Sequence, residues 1–142
     1  MNERIHAHLT RTDGYKYDIS FDELPGVKIV SDEPVPAGKS EGVTAAMMLS
    51  GAVGHCLCSS LLFCLDKSRV KAKDLSADVE LAMERNEKGK WRVKEIKVNL
   101  KPIVDDIDSK KLDRCKELFE DFCIVSSSVR EGIKIDVNVE RQ

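Results

Sequence analysis

The sequence lacks any surplus of positive charge: 23 Lys and Arg stand against 25 Asp and Glu, a formal charge of −2 over 142 residues. A phosphate backbone is held by clustered cations, so nucleic acid is excluded as the expected partner. Aromatic residues make up only 5%, too few for the stacking platforms that grip single strands. Eight Gly and four Pro rule out collagen-like or linker-dominated sequence. The first eleven residues, MNERIHAHLTR, carry charge at once and contain no apolar stretch. No secretory signal is expected from them, and the reducing cytoplasm is the expected compartment. There is no GxGxxG, no GxxxxGK phosphate cradle, no GxSxG elbow, no HExxH and no CxxC. The three histidines are His6, His8 and His55, and no hydrolase triad is apparent among them.

Cysteine is what the chain does have: five, an odd and high number for its length. In a reducing compartment these read as reactive or buried thiols rather than as a disulfide framework. With 42% hydrophobic and 34% charged residues, the chain has the balance of one globular domain spanning 1–142.

The periodicity changes several times, and each change marks an element. Ile5, Ala7 and Leu9, then Tyr15, Tyr17, Ile19 and Phe21, alternate with polar neighbours and predict two strands joined at Asp13-Gly14. Val27 and Ile29 predict a third. The segment SDEPVPAGKSEG is a loop by its prolines, glycines and charges. From Val43 to Leu65 no residue carries a formal charge. A run of that length can span a bilayer. However, Thr44, Ser50, Gly51, Gly54, His55, Ser59, Ser60 and three Cys dilute its hydropathy, and both flanks mix charges. It therefore predicts the central helix of a soluble core, with Thr44 as its cap, and no membrane association.

Leu75, Ala77, Val79, Leu81 and Met83 predict a long strand. Asn86-Glu87-Lys88-Gly89 predicts a turn, and Trp91 and Val93 a return strand. Ile96, Val98 and Leu100 continue that strand out of phase, which places a bulge near Lys94-Glu95, and Pro102 is expected to end the pairing. From Asp108 the period turns helical through Leu112, Cys115, Leu118, Phe119 and Phe122, with Asp108 or Ser109 as cap. CIVSSSVREG follows as the end of that helix or a short further one. Ile133, Ile135, Val137 and Val139 predict a last strand. The order is β-β-β-α-β-β-α-β, an α+β pattern.

Cys56 and Cys64 are eight apart and share a helix face, as do Cys115 and Cys123; Cys58 points away from Cys56. Two such helices facing one another bring thiols within pairing reach. Against this stands the ordinary behaviour of cysteine as a small buried hydrophobe, which fits Cys64 and Cys115 best. Adjacent residues on a helix diverge too widely for His55-Cys56-Leu57-Cys58 to surround a tetrahedral ion, so no metal is expected.

The pattern D-x-P-x-P-x-G over residues 32–38, the helix AMMLSGAVGHCLCSSLL, and the later FCIVSSSVREGIKIDVNV together resemble the OsmC/Ohr family. The resemblance runs over nearly the whole chain. It implies an intertwined homodimer with two central helices between sheets. It also implies a thiol peroxidase that needs no cofactor. A peroxidatic thiolate reduces an organic hydroperoxide, the resulting sulfenic acid condenses with a second Cys, and an external dithiol reduces the disulfide. Carried over by position, Cys56 is the peroxidatic residue and Cys123 its partner, whereas Cys58 has no counterpart.

Two positions depart from the family pattern: Ala46 stands where a Glu pairs with an Arg, and Ile124 stands where Pro follows the second Cys. Arg11, His55 and Ser60 are the candidates for stabilising a thiolate in the absence of that Glu. The alternative is a binding protein whose apolar pocket holds a hydrophobic ligand and whose thiols are inert.

Overall fold

Alternating sequence forms strands at the N-terminal end: β1 (Ala7–Asp13), β2 (Lys16–Phe21) and β3 (Lys28–Ser31). They make an antiparallel sheet in chain order, with Leu9 opposite Ile19 and Ile19 opposite Ile29. Gly14 takes a φ of 52° in the β1–β2 turn, a conformation that costs glycine little. The computed structural model describes residues 3–142, which gather into two units, one ending at Leu49 and the other beginning at Ser50.

In the first unit the loop after β3 is organised by one buried carboxylate. Asp32 accepts backbone N–H bonds from Glu33 at 2.8 Å, Lys39 at 3.1 Å and Glu41 at 3.1 Å. Burial pushes this carboxyl up, but those three donors outweigh it and hold Asp32 below the ordinary carboxylate value. The loop then returns along β3, where Val43 bridges Ser31. As expected, Thr44 caps the long helix, its Oγ1 accepting the Met47 N–H at 3.1 Å. Every residue of β1 is exposed.

The charge-free run forms α1 (Ala45–Lys67). The helix is long and apolar enough to cross a membrane by length and composition, yet it is not buried all round. Val53, Gly54, Leu57, Ser60, Leu61, Cys64 and Leu65 form one buried stripe, the spacing of a helix packed on one side. Met47, Leu62 and Phe63 remain exposed.

In the second unit, β4 (Asp74–Arg85) and β5 (Trp91–Ile103) form a long antiparallel hairpin. Ala82 pairs with Glu95 and Met83 with Val93, so Lys94 is the extra residue of a bulge. The out-of-phase alternation along β5 has this origin. Pro102 lies within the ladder rather than ending it: it stands opposite Leu75, and Asp74 still pairs with Ile103. Gly54 lets α1 approach the hairpin, since a Cβ there would come within 2.7 Å of the Val79 side chain. Leu61, Cys64, Leu65, Val70 and Cys115 form the core, with Leu75, Leu100, Leu112 and Phe119 packed on it.

The helical period after Asp108 does not give one helix. α2 (Ser109–Leu118) tightens into a 3-10 turn over Phe119–Phe122, and α3 (Ile124–Glu131) follows. Cys123, extended at φ −82° and ψ 103°, breaks the helix between them. Asp108 occupies the cap position of α2 without a side-chain bond. The expected last strand is a correction: residues 133–142 are exposed and join no sheet among the described residues. A strand exists only by pairing, and within one copy Ile133, Ile135, Val137 and Val139 find no such neighbour. The architecture is α+β, with the tail in place of the eighth element.

Candidate functional site

Cys56 and Cys123, far apart in sequence, meet at the start of α3. Cys123 is the N-cap of that helix, and its Sγ accepts the Ser126 N–H at 3.4 Å. The Val125 N–H, one residue earlier, donates to Cys56 Sγ, also at 3.4 Å. Two consecutive amides of one helix N-terminus are thus directed at two sulfurs, where the helix dipole favours negative charge. Cys123 is 1% exposed and Cys56 partly exposed, and all five cysteines are free thiols.

Burial pushes the Cys123 thiol up. Hydrogen bonds from the Cys56 thiol, from Ser126 and from Ser60 outweigh it, so Cys123 lies below the ordinary thiol value.

A second thiol pair joins α1 to α2. Cys64 and Cys115 are hydrogen-bonded to each other, and Ser68 Oγ stands 3.7 Å from Cys115 Sγ. Here burial has its way: desolvation, with the Cys115 bond, pushes Cys64 up to about 11. Burial also raises Cys58, which has no such thiol partner. A thiol so raised stays protonated near neutrality. Folded Cys64 therefore resists alkylation at about pH 8 and reacts only as pH approaches 11. Site-resolved iodoacetamide labelling against pH measures this. The folded value exceeds the unfolded one, so the contribution of Cys64 to stability is complete below about pH 8.5 and is lost as pH rises toward about 11.

The expected thiolate-stabilising residues divide. Ser60 is buried and acts on Cys123. His55 is exposed, with Nε2 3.4 Å from Ser59 Oγ. Arg11 lies exposed on β1, its Nε donating to the Gly14 carbonyl at 2.7 Å. Ala46 sits in the first turn of α1.

The sequence reading gave no role to Arg130 and Glu120, which pair at 2.6 Å. Arg130 is raised first by that carboxylate and, more weakly, by Cys123, whose sulfur lies within reach of its charge. The available signal was position: Arg130 falls two helical turns after Cys123 and shares its face. Ser126 was also missed as a distinct feature. It is 5% exposed, and its Oγ is sealed from solvent beside the Cys123 sulfur. It lies on the wall of a cavity of about 570 Å³, lined also by Val53 and Leu57 of α1, Val98 of β5, Phe119 and Arg130. No cluster of three or more His, Cys, Asp or Glu suited to a metal occurs among the described residues.

A family model described as OsmC-like protein matches residues 38–138. The chain belongs to the OsmC-like family. Among solved structures, an OsmC-like protein of unknown function from Vibrio cholerae superposes with a TM-score of 0.77 at 17% identity, over 89% of this chain and 94% of that one. An OsmC-like protein from Mycoplasma pneumoniae gives 0.76 at 11% identity, over 92% and 89%. An organic hydroperoxide resistance protein of Bacillus subtilis gives 0.60 at 17% identity, over 88% and 90%. At such identities the likeness is one of fold. No curated protein matches the chain.

Proposed function

We propose that this chain is a thiol-dependent peroxidase that reduces organic hydroperoxides through Cys56 and Cys123, and that an external dithiol regenerates it. One observation carries the reading: two thiols that share the N-terminus of α3, with one hydrogen-bonded to a sulfur that leans toward its thiolate. Peroxide oxidises thiolates, and a second thiol within reach traps the sulfenic acid as a disulfide. The apolar side chains on the cavity wall, Val53, Leu57, Val98 and Phe119, which share it with charged Lys94, Glu95, Glu120 and Arg130, suit the organic part of such a substrate. Solved proteins of this fold that are named for organic hydroperoxide resistance support the same reading. The reducing cytoplasm would supply the dithiol.

The functional unit in this proposal is a homodimer. The exposed alternating tail and the exposed β1 are both unpaired edges, and a second copy can satisfy them.

The test is turnover of cumene, tert-butyl and hydrogen peroxides with a panel of dithiols. The expected result is consumption of organic peroxide with the loss of two thiols per chain in the absence of reductant. If all five thiols persist after peroxide treatment, the cavity reading takes over. The protein would then be a binder of a small hydrophobic ligand, with the Ser126 hydroxyl as its polar contact.

A further inference from the structure

We propose that the reducing dithiol attacks Cys56 of the oxidised pair, that Cys123 is the sulfur expelled, and that Arg130, held by Glu120, is a positioning residue for that departure. The inference rests on the peroxidase reading above and concerns only the reductive half of its cycle.

Access separates the two sulfurs. Cys123 is 1% exposed, enclosed at the break between the 3-10 turn and α3, whereas Cys56 is partly exposed. The course of thiol–disulfide exchange depends on which sulfur the attacking thiolate reaches. Cys56 is the one open to a molecule from outside.

The expelled sulfur must carry the negative charge, and the better it does so the faster it leaves. At Cys123 the supports are built into the fold. As N-cap of α3 it accepts the Ser126 N–H at 3.4 Å, at the positive end of the helix. The Ser60 and Ser126 side chains donate to it as well. None of these bonds needs a thiol on Cys56, so all of them can serve while Cys56 is held in a mixed disulfide. Cys56 receives one amide, the Val125 N–H at 3.4 Å.

Glu120 links Arg130 to the same sulfur. Its carbonyl accepts the Cys123 N–H at 3.1 Å, and its carboxylate pairs with Arg130 at 2.6 Å. One residue thus fixes the backbone of Cys123 and anchors the guanidinium whose charge reaches the Cys123 sulfur.

The exchange balances. The reductant thiolate bonds to Cys56 Sγ as the Cys56–Cys123 bond breaks, and the electron pair of that bond leaves on Cys123. The second thiol of the reductant, once deprotonated, attacks the reductant sulfur of the mixed disulfide and expels the Cys56 thiolate. The reductant ends as a cyclic disulfide, having given two electrons, and its two protons restore the Cys56 and Cys123 thiols.

The test starts from a Cys56–Cys123 disulfide made with diamide, so it does not depend on peroxide turnover. N-acetylcysteine, a monothiol that cannot complete the exchange, is added at one equivalent. Free thiols are then blocked at once with N-ethylmaleimide in denaturant, and peptides are mapped. The expected result is N-acetylcysteine on Cys56 and maleimide on Cys123; the reverse pattern overturns the proposal. Arg130→Met is expected to slow reduction by dithiothreitol roughly fivefold, since an exposed cation acts at partial strength. It is also expected to move the equilibrium with glutathione toward the disulfide by a similar factor, a shift that a merely structural role would not cause. Arg130→Lys, which keeps the charge, is expected to retain most of both. A methionine variant that matches wild type in rate and equilibrium overturns the role of Arg130. Cumene hydroperoxide that fails to form the disulfide diamide forms overturns the peroxidase reading, while the order of exchange is still read from the diamide-made disulfide. A chain that diamide leaves without a Cys56–Cys123 disulfide overturns both.

Discussion

Replacing Ile135 and Val137 together by Asp is expected to turn a dimer at micromolar concentration into a monomer. Both side chains lie in the tail after α3, 79% and 81% exposed, and Val139 is 91% exposed. Four apolar residues alternating along an exposed segment make an apolar stripe with no cover, a feature soluble proteins seldom leave open. Burying each such side chain against a second copy contributes roughly 1.5–3 kcal/mol, so two charged replacements weaken association by at least about 100-fold. Sedimentation velocity across a dilution series reads this directly. A wild-type chain that sediments as a folded monomer would remove the dimer from the account. The paired substitution should leave the α1–hairpin core of the second unit intact, because the tail takes no part in it.

Leu65→Ala is expected to destabilise the fold more than any substitution at the surface. Leu65 is 0% exposed on the buried stripe of α1, among Leu61, Cys64, Val70 and Cys115. Removing its branched end forfeits transfer energy and leaves a void that a helix held between a sheet and α2 cannot close. The cost is about 2–5 kcal/mol. For a chain of this size that is a fall in Tm of roughly 6–15 °C, measured at fixed protein concentration because association adds to apparent stability. A loss below about 1 kcal/mol would mean that the α1 core is loosely packed. The same void would lie beside Cys64 and Cys115, so the resistance of Cys64 to alkylation should weaken in this variant.

Much of this fold was legible because period and punctuation agreed. The phase slip along β5 located the bulge at Lys94, and Thr44 announced the start of α1. The eight-residue spacing in Cys56/Cys64 and Cys115/Cys123 matches the two thiol pairs that α1 makes with α2 and the start of α3. Where the reading failed, the deciding contacts were not local. Leu112 to Phe122 keeps a helical period, yet the chain tightens at Phe119 into a 3-10 turn; the short helix after Cys123 was one of the two readings the sequence left open. Alternation from Ile133 to Val139 could announce a strand but not where its neighbour would be. At the site, the family resemblance named Cys56 and Cys123 as the pair. It could not show that consecutive amides of α3 would be shared between two sulfurs. Nor could it show that Ser126 would be buried beside them, because a serine in SSSV reads as ordinary polar surface.

The central claim is that Cys56 and Cys123 act as one redox pair. Peptide mapping after treatment with one equivalent of cumene hydroperoxide, with free thiols blocked in denaturant, tests it most directly. The account predicts a single intramolecular Cys56–Cys123 disulfide, with Cys58, Cys64 and Cys115 recovered as blocked free thiols. A disulfide between Cys58 and Cys64, or recovery of all five thiols unoxidised, would contradict it.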